Sequence, residues 1–366
     1  MKINILLPYK EIFAEDKASS VSITVKNNLK YTKFFKNIQI FGQETKNPIV
    51  SKNFFGIKYL FWSLKSKNYY LASQMLKIIT KTMDVNQIIE IHNRPYLINY
   101  IFKKNKNFPL SLFLHNDPKE MKGSKSSTER KKILERCASI YCVSNFIKNQ
   151  FLDGITYNQH KVHVLHNGVH RKLKEFPLKK KEILFVGRIV PEKGVGLYID
   201  VITNIAKEFP DWNFGLIGSF KLGDNNQNDV YSQEKINKFK KIGKQAKFYG
   251  FKKQTFVYKK MKDASIIIIP SLWKEPFGLV AAEAMSNGIA IIASSVGGLP
   301  EIIKENGILI EKINFIKLRS ALLELLNNKK IRLSFQKKSW DNFEFSALKS
   351  SEKLDNYRQQ IIQDLF

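Results

Sequence analysis

Hydrophobic residues in the first half of the chain form short runs separated by longer stretches with helical spacing. The runs are rich in Ile, Leu and Phe, and each has the length of a buried strand. They lie at residues 3–8, 38–41, 87–91, 110–115, 139–144 and 162–166. The stretches between them, including 57–83 and 127–137, repeat apolar residues every three or four positions and predict helices. This alternation predicts a parallel sheet covered by helices.

The second half repeats the same alternation. Six further runs lie at residues 182–187, 212–217, 246–250, 265–269, 289–293 and 307–310. A charged, proline-containing stretch at 171–181 separates the halves and is typical of a linker. We therefore expect an α/β protein with two Rossmann-like domains, at residues 1–178 and 179–340. A helical tail at 341–366 is expected to pack back on the N-terminal domain.

Composition adds a strong positive charge to this picture. The chain of 366 residues has a net charge of +29, and 18 of these charges lie before Pro177. Such an excess favours an anionic partner, for which nucleic acid, an anionic membrane and phosphorylated substrates are the candidates. A general bias towards lysine remains an alternative, because only eight of the 61 basic residues are arginine. No helix-turn-helix or aromatic pattern accompanies the basic residues, so nucleic acid is not expected.

One segment of the second half suggests an anion site. A buried strand ends at Pro270, and a helix is predicted to begin near Leu279, directly after Gly278. The first turn of a helix offers unpaired amides and the positive end of the dipole, which suit a diphosphate. Glu275 precedes this helix and Glu283 lies just over one turn inside it. Their carboxylates can accept hydrogen bonds from sugar hydroxyls, although a helix cap and a solvated face are the simpler readings.

A second segment follows the strand predicted at 182–187. Gly187 allows the chain to turn, and Arg188 and Lys193 come next, five residues apart. Arginine can bind two phosphate oxygens with its fork of donors, and lysine supplies a point charge. Because the carboxyl ends of parallel strands face the ligand in open α/β sheets, these cations are expected near the same anion.

Together these segments resemble a known family. The string Glu-Pro-Phe-Gly-Leu-Val-Ala-Ala-Glu from Glu275 to Glu283 is similar to the Glu-x7-Glu signature of glycosyltransferase family 4. The Gly-Arg and Glu-Lys-Gly elements around Arg188 and Lys193 resemble the diphosphate-binding element of that family. The resemblance implies the GT-B fold, with two Rossmann-like domains facing each other across a cleft and C-terminal helices.

The resemblance also implies roles for individual residues. Glu275 would contact the donor sugar, Glu283 the ribose, and Arg188 and Lys193 the leaving diphosphate. The glycines at 297–298 resemble a Gly-Gly-x-x-Glu segment of the family, with a simple turn as the alternative. The other donor-binding residues are expected to be Gly187, Tyr249, Gly250, Phe277, Gly278, Leu279 and Val280.

Two histidines follow strands of the first half. A histidine such as His92 or His115 at a strand end is commonly structural, and that alternative stays open for both. His115 matches a position that touches the donor sugar in the family, so the expected catalytic residues are His115, Arg188, Lys193 and Glu275. The loop at 10–21 departs from the family because it lacks a Gly-Gly pair, which leaves its contact with phosphate open.

The resemblance implies a hexosyltransferase that retains the configuration at the anomeric carbon, and the sequence predicts that transfer is metal-independent. No Asp-x-Asp motif occurs that could hold a nucleotide-bound metal, so no cofactor or metal is expected beside a UDP- or GDP-linked sugar. The expected acceptor is a cell-envelope glycan or glycolipid such as lipopolysaccharide. The first eight residues are too short an apolar stretch for a signal peptide, which favours the cytoplasm. Peripheral attachment to the inner face of the cytoplasmic membrane is an open alternative.

Two other functions fit parts of the sequence. A non-catalytic basic protein that binds nucleic acid or anionic membrane would explain the charge but not the paired glutamates. Another GT-B enzyme, an epimerase or a phosphorylase, would share the architecture without the Glu-x7-Glu string.

Overall fold

A computed structural model describes residues 2–15, 19–60, 63–81, 86–219 and 230–365. The chain forms two compact units. Unit 1 contains residues 1–168 and 347–366, and unit 2 contains residues 169–346. The chain therefore leaves unit 1 after Gly168 and returns to it at Ala347, so unit 2 is an insertion in the sequence of unit 1.

Unit 1 is built on a parallel sheet of seven strands in the order β3-β2-β1-β4-β5-β6-β7. The described strands are β1 Lys2–Leu6, β2 Ile38–Gln43, β3 Phe54–Ile57, β4 Gln87–His92, β5 Leu110–Leu114, β6 Ser139–Cys142 and β7 Val162–Val164. The two central strands β4 and β5 are buried at every position, because helices cover both faces of the sheet.

The helices of unit 1 follow most of its strands. They are α1 Ser20–Leu29, α2 Lys67–Ile79, α3 Tyr96–Lys104, α4 Ser127–Arg136, α5 Asn145–Leu152 and, at the end of the chain, α13 Ala347–Leu365. The helix predicted at 127–137 is confirmed and begins with a capping box between Ser126 and Glu129. The helix predicted at 57–83 is wrong at its start. Residues 54–57 form strand β3, and helix α2 begins only at Lys67.

A buried ion pair fixes the last helix to the sheet of unit 1. The Arg358 guanidinium on α13 donates to both carboxylate oxygens of Glu90 on β4, each at 2.8 Å. It also donates to Asp355 at 3.2 Å, and Asp355 in turn accepts from the Thr32 hydroxyl at 2.7 Å. The side chains of Arg358 and Glu90 are only 2% and 1% exposed. This bidentate contact supplies the hydrogen-bond donors that a buried carboxylate requires.

Unit 2 is built on a parallel sheet of six strands in the order β10-β9-β8-β11-β12-β13. The strands are β8 Lys180–Val186, β9 Asn213–Ile217, β10 Ala246–Gly250, β11 Ala264–Ile269, β12 Ala290–Ser294 and β13 Gly307–Ile310. Each lies within two residues of a predicted run. A short, continuous apolar run such as that of β11, which is buried at every position, is typical of a strand covered on both faces.

The helices of unit 2 complete its two outer layers. They are α6 Val195–Ile205, α7 Val230–Lys240, α8 Gln254–Asp263, α9 Leu279–Ser286, α10 Leu299–Ile303, α11 Phe315–Asn327 and α12 Lys329–Asp341. Strands β8, β11 and β12 are neighbours at the centre of the sheet, so their carboxyl ends lie side by side. Among the residues that the structure describes, no helix combines the length and hydropathy needed to span a bilayer.

Candidate functional site

The carboxyl edge of the unit 2 sheet brings two of the predicted site residues into contact. Lys193 follows β8, and Glu275 follows the neighbouring strand β11. The Lys193 Nζ lies 2.5 Å from Glu275 Oε1, and the Ser271 hydroxyl donates to the same oxygen at 2.6 Å. The ammonium also lies 5.0 Å from the centre of the Trp273 ring. A cation and a carboxylate predicted to bind the donor are thus held together, each still partly accessible at 20% and 10% of its side chain.

The turn that carries Lys193 is packed tightly against the end of β11. Gly194, which follows Lys193, adopts φ 68°, and a Cβ atom there would come within 1.9 Å of the Pro270 carbonyl oxygen. The Leu272 amide donates to the Glu192 carbonyl at 2.8 Å. Only glycine fits this close approach, and the backbone bond holds the turn from which the Lys193 side chain extends.

A second glycine turn supports Glu275 from the other side. Gly297, after β12, has φ 60°, and a Cβ atom there would lie 2.2 Å from the Glu275 carbonyl oxygen. The Gly298 amide donates to that oxygen at 2.7 Å. The two glycines therefore hold the backbone of Glu275 in place, which is a defined structural reason for the turn anticipated in the sequence.

Helix α9 begins at Leu279, as predicted. Gly278 is its N-terminal cap residue and has φ 111°. The amides of Leu279 and Val280 lie in the first turn, where helical amides have no partner within the helix. The side chain of Phe277, in contrast, is 2% exposed and packs edge-on against Phe345. A donor could therefore be contacted at this position through the backbone only.

Arg188 and Gly187 lie at the end of β8. The Gly187 amide donates to the Ile217 carbonyl at 3.0 Å, and a Cβ atom at Gly218 would meet the Gly187 carbonyl oxygen at 1.7 Å. The Arg188 side chain is exposed and forms no hydrogen bond or ion pair with the described residues. The structure thus places Arg188 after the same strand as Lys193 without bringing it into the Lys193–Glu275 pair.

Glu283 lies on the buried side of α9 and has its own partner. Burial raises the pKa of its carboxyl to about 7, and the Gln254 amide, which donates to it at 3.0 Å, partly offsets this rise. A carboxyl with such a pKa can donate as well as accept a hydrogen bond near neutral pH. Such a carboxyl group can form hydrogen bonds with both hydroxyls of a diol, like that of ribose.

Tyr249 and Gly250 are the last two residues of β10, the edge strand that pairs with β9. The Tyr249 ring is half-buried, packs against Phe256 and lies 4.8 Å from the Lys260 ammonium. Gly250 has φ 68°, and its carbonyl accepts from the Gly218 amide at 3.0 Å. Residues 220–229 lie outside the described residues, as do residues 16–18 of the loop at 10–21.

At the carboxyl edge of the unit 1 sheet, the two histidines form a buried pair. The His92 Nδ1 lies 2.9 Å from the His115 Nε2, and the rings are stacked. Burial lowers the pKa of His115 to about 4, and burial together with the His115 and Arg358 charges holds the pKa of His92 well below its usual value. Both imidazoles are therefore neutral near pH 7, and one donates to the other. The Asn93 amide oxygen accepts from the His115 backbone amide at 3.0 Å.

Several supporting residues were not anticipated from the sequence. Ser271 and Trp273 contact the Glu275–Lys193 pair, and Gln254 binds Glu283. In unit 1, burial raises the pKa of Glu11 to about 7, and the nearby Arg94 charge opposes this rise. Ser271 and Trp273 could have been found as polar or aromatic residues within five positions of a strand end. Gln254 and Glu11 are brought to the sites by tertiary packing alone.

The architecture matches that of solved GT-B proteins. A crystal structure of Anabaena HepE in complex with UDP-glucose superposes with a TM-score of 0.75, at 15% identity, over 98% of this chain and 100% of that one. Together with the two parallel sheets, this likeness confirms the predicted GT-B fold class.

Sequence relatives define the family. The profile of the glycosyl transferases group 1 family matches residues 168–340. An uncharacterized glycosyltransferase of Methanocaldococcus jannaschii is 32% identical over 330 residues, which cover 86% of this chain and 87% of the relative. A lipopolysaccharide 1,2-N-acetylglucosaminetransferase of Salmonella typhimurium is 23% identical, over 63% and 61% of the two chains. The chain is a glycosyltransferase of the GT-B type and belongs to the glycosyl transferases group 1 family.

Proposed function

We propose that this protein is a retaining, metal-independent hexosyltransferase of the family 4 type. It takes a sugar from a nucleotide diphosphate donor, with UDP or GDP as the carrier, and transfers it to a cell-envelope glycan or glycolipid. The observation that carries the proposal is the contact between Lys193 and Glu275 at the carboxyl edge of the unit 2 sheet.

In this proposal the Lys193–Glu275 pair exchanges partners when the donor binds. The diphosphate recruits the Lys193 ammonium, the Arg188 guanidinium and the amides that begin α9, which together offset the charge that grows on the leaving group. Glu275 is then free to accept hydrogen bonds from the hydroxyls of the transferred sugar. Cations and amides thereby take the place of a divalent metal.

The chemical step follows the same arrangement. The bond between the anomeric carbon and the diphosphate oxygen breaks, and a bond to the acceptor oxygen forms on the same face of the sugar. The acceptor proton passes to a phosphate oxygen of the departing nucleotide. In unit 1, His115 is the proposed catalytic residue because it matches the family position that touches the donor sugar.

The identity of the substrates is supported by the relatives and by charge. The HepE structure contains UDP-glucose, which favours UDP as carrier, and the Salmonella relative acts on lipopolysaccharide, which favours an envelope acceptor. The excess of positive charge before Pro177 suits a phosphorylated glycolipid or an anionic membrane surface. The proposal places the protein in the cytoplasm, at the inner face of that membrane.

The test combines donor binding with transfer. A panel of UDP-glucose, UDP-N-acetylglucosamine and GDP-mannose is screened by melting temperature, since a ligand that binds only the folded chain raises it. Nucleotide release with lipopolysaccharide core oligosaccharide is then measured for Lys193→Ala and Glu275→Ala. Each variant is expected to lower kcat by about 10²- to 10³-fold, the usual effect of losing one charge-stabilising group.

The matched control is Lys180→Ala. Lys180 also pairs with a carboxylate, Asp263, but its side chain is 72% exposed at the amino end of β8. This variant should transfer sugar at the rate of the unaltered protein. Unchanged rates in Lys193→Ala and Glu275→Ala would refute the site, and a loss of activity in EDTA that magnesium restores would refute metal independence.

A further inference from the structure

Unit 1 contains a surface cavity of about 640 Å³ that the proposed donor site does not use. Its size falls within the range of roughly 300–1,000 Å³ usual for small-molecule sites. Its walls come from three neighbouring segments: the start of α2, one face of α3 and the loop that follows β5. The lining residues used below are Lys65, Tyr69, Tyr96, Tyr100, Lys103 and Lys122.

Two walls of the cavity belong to segments that follow the strands of the histidine pair along the chain. Helix α3 begins four residues after His92, and the loop with Lys122 follows the strand that precedes His115. Both segments leave the sheet at its carboxyl edge, where ligands of parallel α/β sheets bind.

Aromatic rings form one wall of the cavity. The ring centre of Tyr69 lies 5.1 Å from that of Tyr96 and 5.1 Å from that of Tyr100. Tyr96, Tyr100 and Lys103 are spaced by four and three residues and so share one face of α3. Tyrosine rings present an apolar surface with a polar tip, which matches the C–H face and the hydroxyl rim of a sugar ring.

A glycine turn holds a cation over this wall. Gly123 has φ 85°, and a Cβ atom there would come within 2.6 Å of the Tyr96 side chain and 2.8 Å of its backbone. The loop is therefore packed directly on Tyr96, and the Lys122 ammonium lies 5.6 Å from the centre of the Tyr96 ring. The Lys122 ammonium therefore places a positive charge beside the aromatic wall of the cavity.

The charge of the cavity has one sign. Lys65, Lys103 and Lys122 line it, and none of the lining residues that the structure describes is acidic. Within the part of the chain that the structure describes, none of these three lysines forms an ion pair. Three uncompensated cations around a concave surface attract anions and disfavour cationic ligands.

We propose that this cavity binds an anionic sugar residue of the acceptor, meaning a pyranose that carries a phosphate or a carboxylate. The Tyr69, Tyr96 and Tyr100 rings bind the sugar face, and the lysines bind the anionic substituent. This inference rests on the proposed function, because it assigns the charge class of the acceptor that the transferase uses.

Saturation-transfer NMR on the full chain tests the cavity without requiring turnover. The probes are glucose 6-phosphate, glucuronic acid and uncharged glucose, each measured with UDP present in excess to occupy the nucleotide site. The two charged probes are expected to give signals that Lys103→Met/Lys122→Met reduces about tenfold, since two of three cations are removed. Tyr100→Ala should reduce the signals of their ring protons.

The control variants separate this cavity from other cations. Lys52→Met removes an exposed lysine just before β3, at the amino edge of the same sheet, and should leave the signals unchanged. Lys193→Ala, in unit 2, should also leave them unchanged. Melting temperatures show whether each variant is folded, and Lys65→Met gives a second, independent removal of one lining cation.

The outcomes are distinct. Charged probes that bind in preference to glucose and lose their signal in the double lysine variant support the cavity. Signals that are equal for glucose and the charged probes, or that persist in the double lysine variant, overturn it. Because UDP binding is measured separately by melting temperature, failure of the cavity and failure of the donor site give different results.

Discussion

Each unit contains a carboxylate paired with a basic side chain, and the two pairs are built differently. In unit 1, Arg358 and Glu90 share two hydrogen bonds of 2.8 Å and are 2% and 1% exposed. In unit 2, Lys193 and Glu275 share one contact of 2.5 Å and are 20% and 10% exposed. The first pair, together with its buried neighbour Asp355, is closed to an incoming ligand. The second lies at a carboxyl edge, where its ammonium can leave the carboxylate for an incoming anion.

The difference shows how burial decides the use of a charge. A fully buried pair cannot exchange partners without leaving two unpaired ions in the low-dielectric protein interior. Its role is therefore to hold α13 on the sheet. A partly open pair gives up little when a diphosphate replaces the carboxylate. The same contrast holds for the strand-end groups, since unit 1 presents two neutral imidazoles where unit 2 presents charges.

The largest effect is expected from Arg358→Met. This change leaves Glu90 and Asp355 buried without their cation and should lower the free energy of unfolding by about 3–5 kcal/mol. Urea unfolding followed by circular dichroism measures the loss. Lys193→Met, measured in parallel, should cost only about 1 kcal/mol, because its partner is partly solvated and keeps the Ser271 hydroxyl. Equal losses in the two variants would show that the pairs do not differ in the way proposed.

A smaller effect is expected from acidification, and it should arise in unit 1. The folded pKa of His115 is about 4, whereas the unfolded value is near 6.5, so the unfolded chain binds more protons between these values. The contribution of His115 to the free energy of unfolding should therefore fall as the pH decreases from 6.5 towards 4, whereas the raised pKa values of Glu11 and Glu283 act in the opposite direction. At pH 5 the loss due to His115 is about 2 kcal/mol. Urea unfolding at pH 7.5 and pH 5 measures it.

The histidine variants isolate the source of this dependence. His115→Gln should reduce the difference between the two pH values by about 2 kcal/mol, whatever its effect at pH 7.5. His160→Gln, which changes an exposed histidine of the same unit, should leave the difference as it is. An unchanged pH dependence in His115→Gln would contradict the assignment.

The smallest effect concerns the backbone that supports Glu275. Gly297→Ala places a methyl group where the Glu275 carbonyl lies within 2.2 Å, so the loop must shift and transfer should fall about tenfold. Gly243→Ala is the matched control, because Gly243 also has a positive φ, of 89°, but no described atom within 4 Å of its Cβ position. Both variants should share the backbone strain of about 1 kcal/mol in melting experiments. Similar activity in both would place the turn outside the site.

The central strands and the start of α9 could be predicted because local sequence decides them. Strand β11 is a run of isoleucines that ends at Pro270, and Gly278 takes a conformation that side chains rarely adopt just before α9. The proximity of Lys193 and Glu275, though not their ion pair, was expected for a related reason. Neighbouring parallel strands place their carboxyl ends together, and both residues follow such ends.

The edge of unit 1 could not be predicted in the same way. Strand β3 has only four residues and gains its place by packing, with the Phe55 ring 5.0 Å from Phe41. The aromatic residues after it mimic helical spacing, yet Tyr59 lies in a loop and packs edge-on against Tyr70. The partners Gln254 and Glu11 depend on contacts between segments distant in sequence, which periodicity does not encode.

The chain passes from unit 1 to unit 2 and later returns to unit 1. This path affects the order in which the two units fold during synthesis on the ribosome. Glu90 is synthesised 268 residues before Arg358, the side chain that neutralises it. During most of translation the first sheet therefore contains a carboxylate that it cannot yet bury at low cost. We expect the inserted unit to fold first, and the segment made earliest to reach its final state only when the last helix emerges.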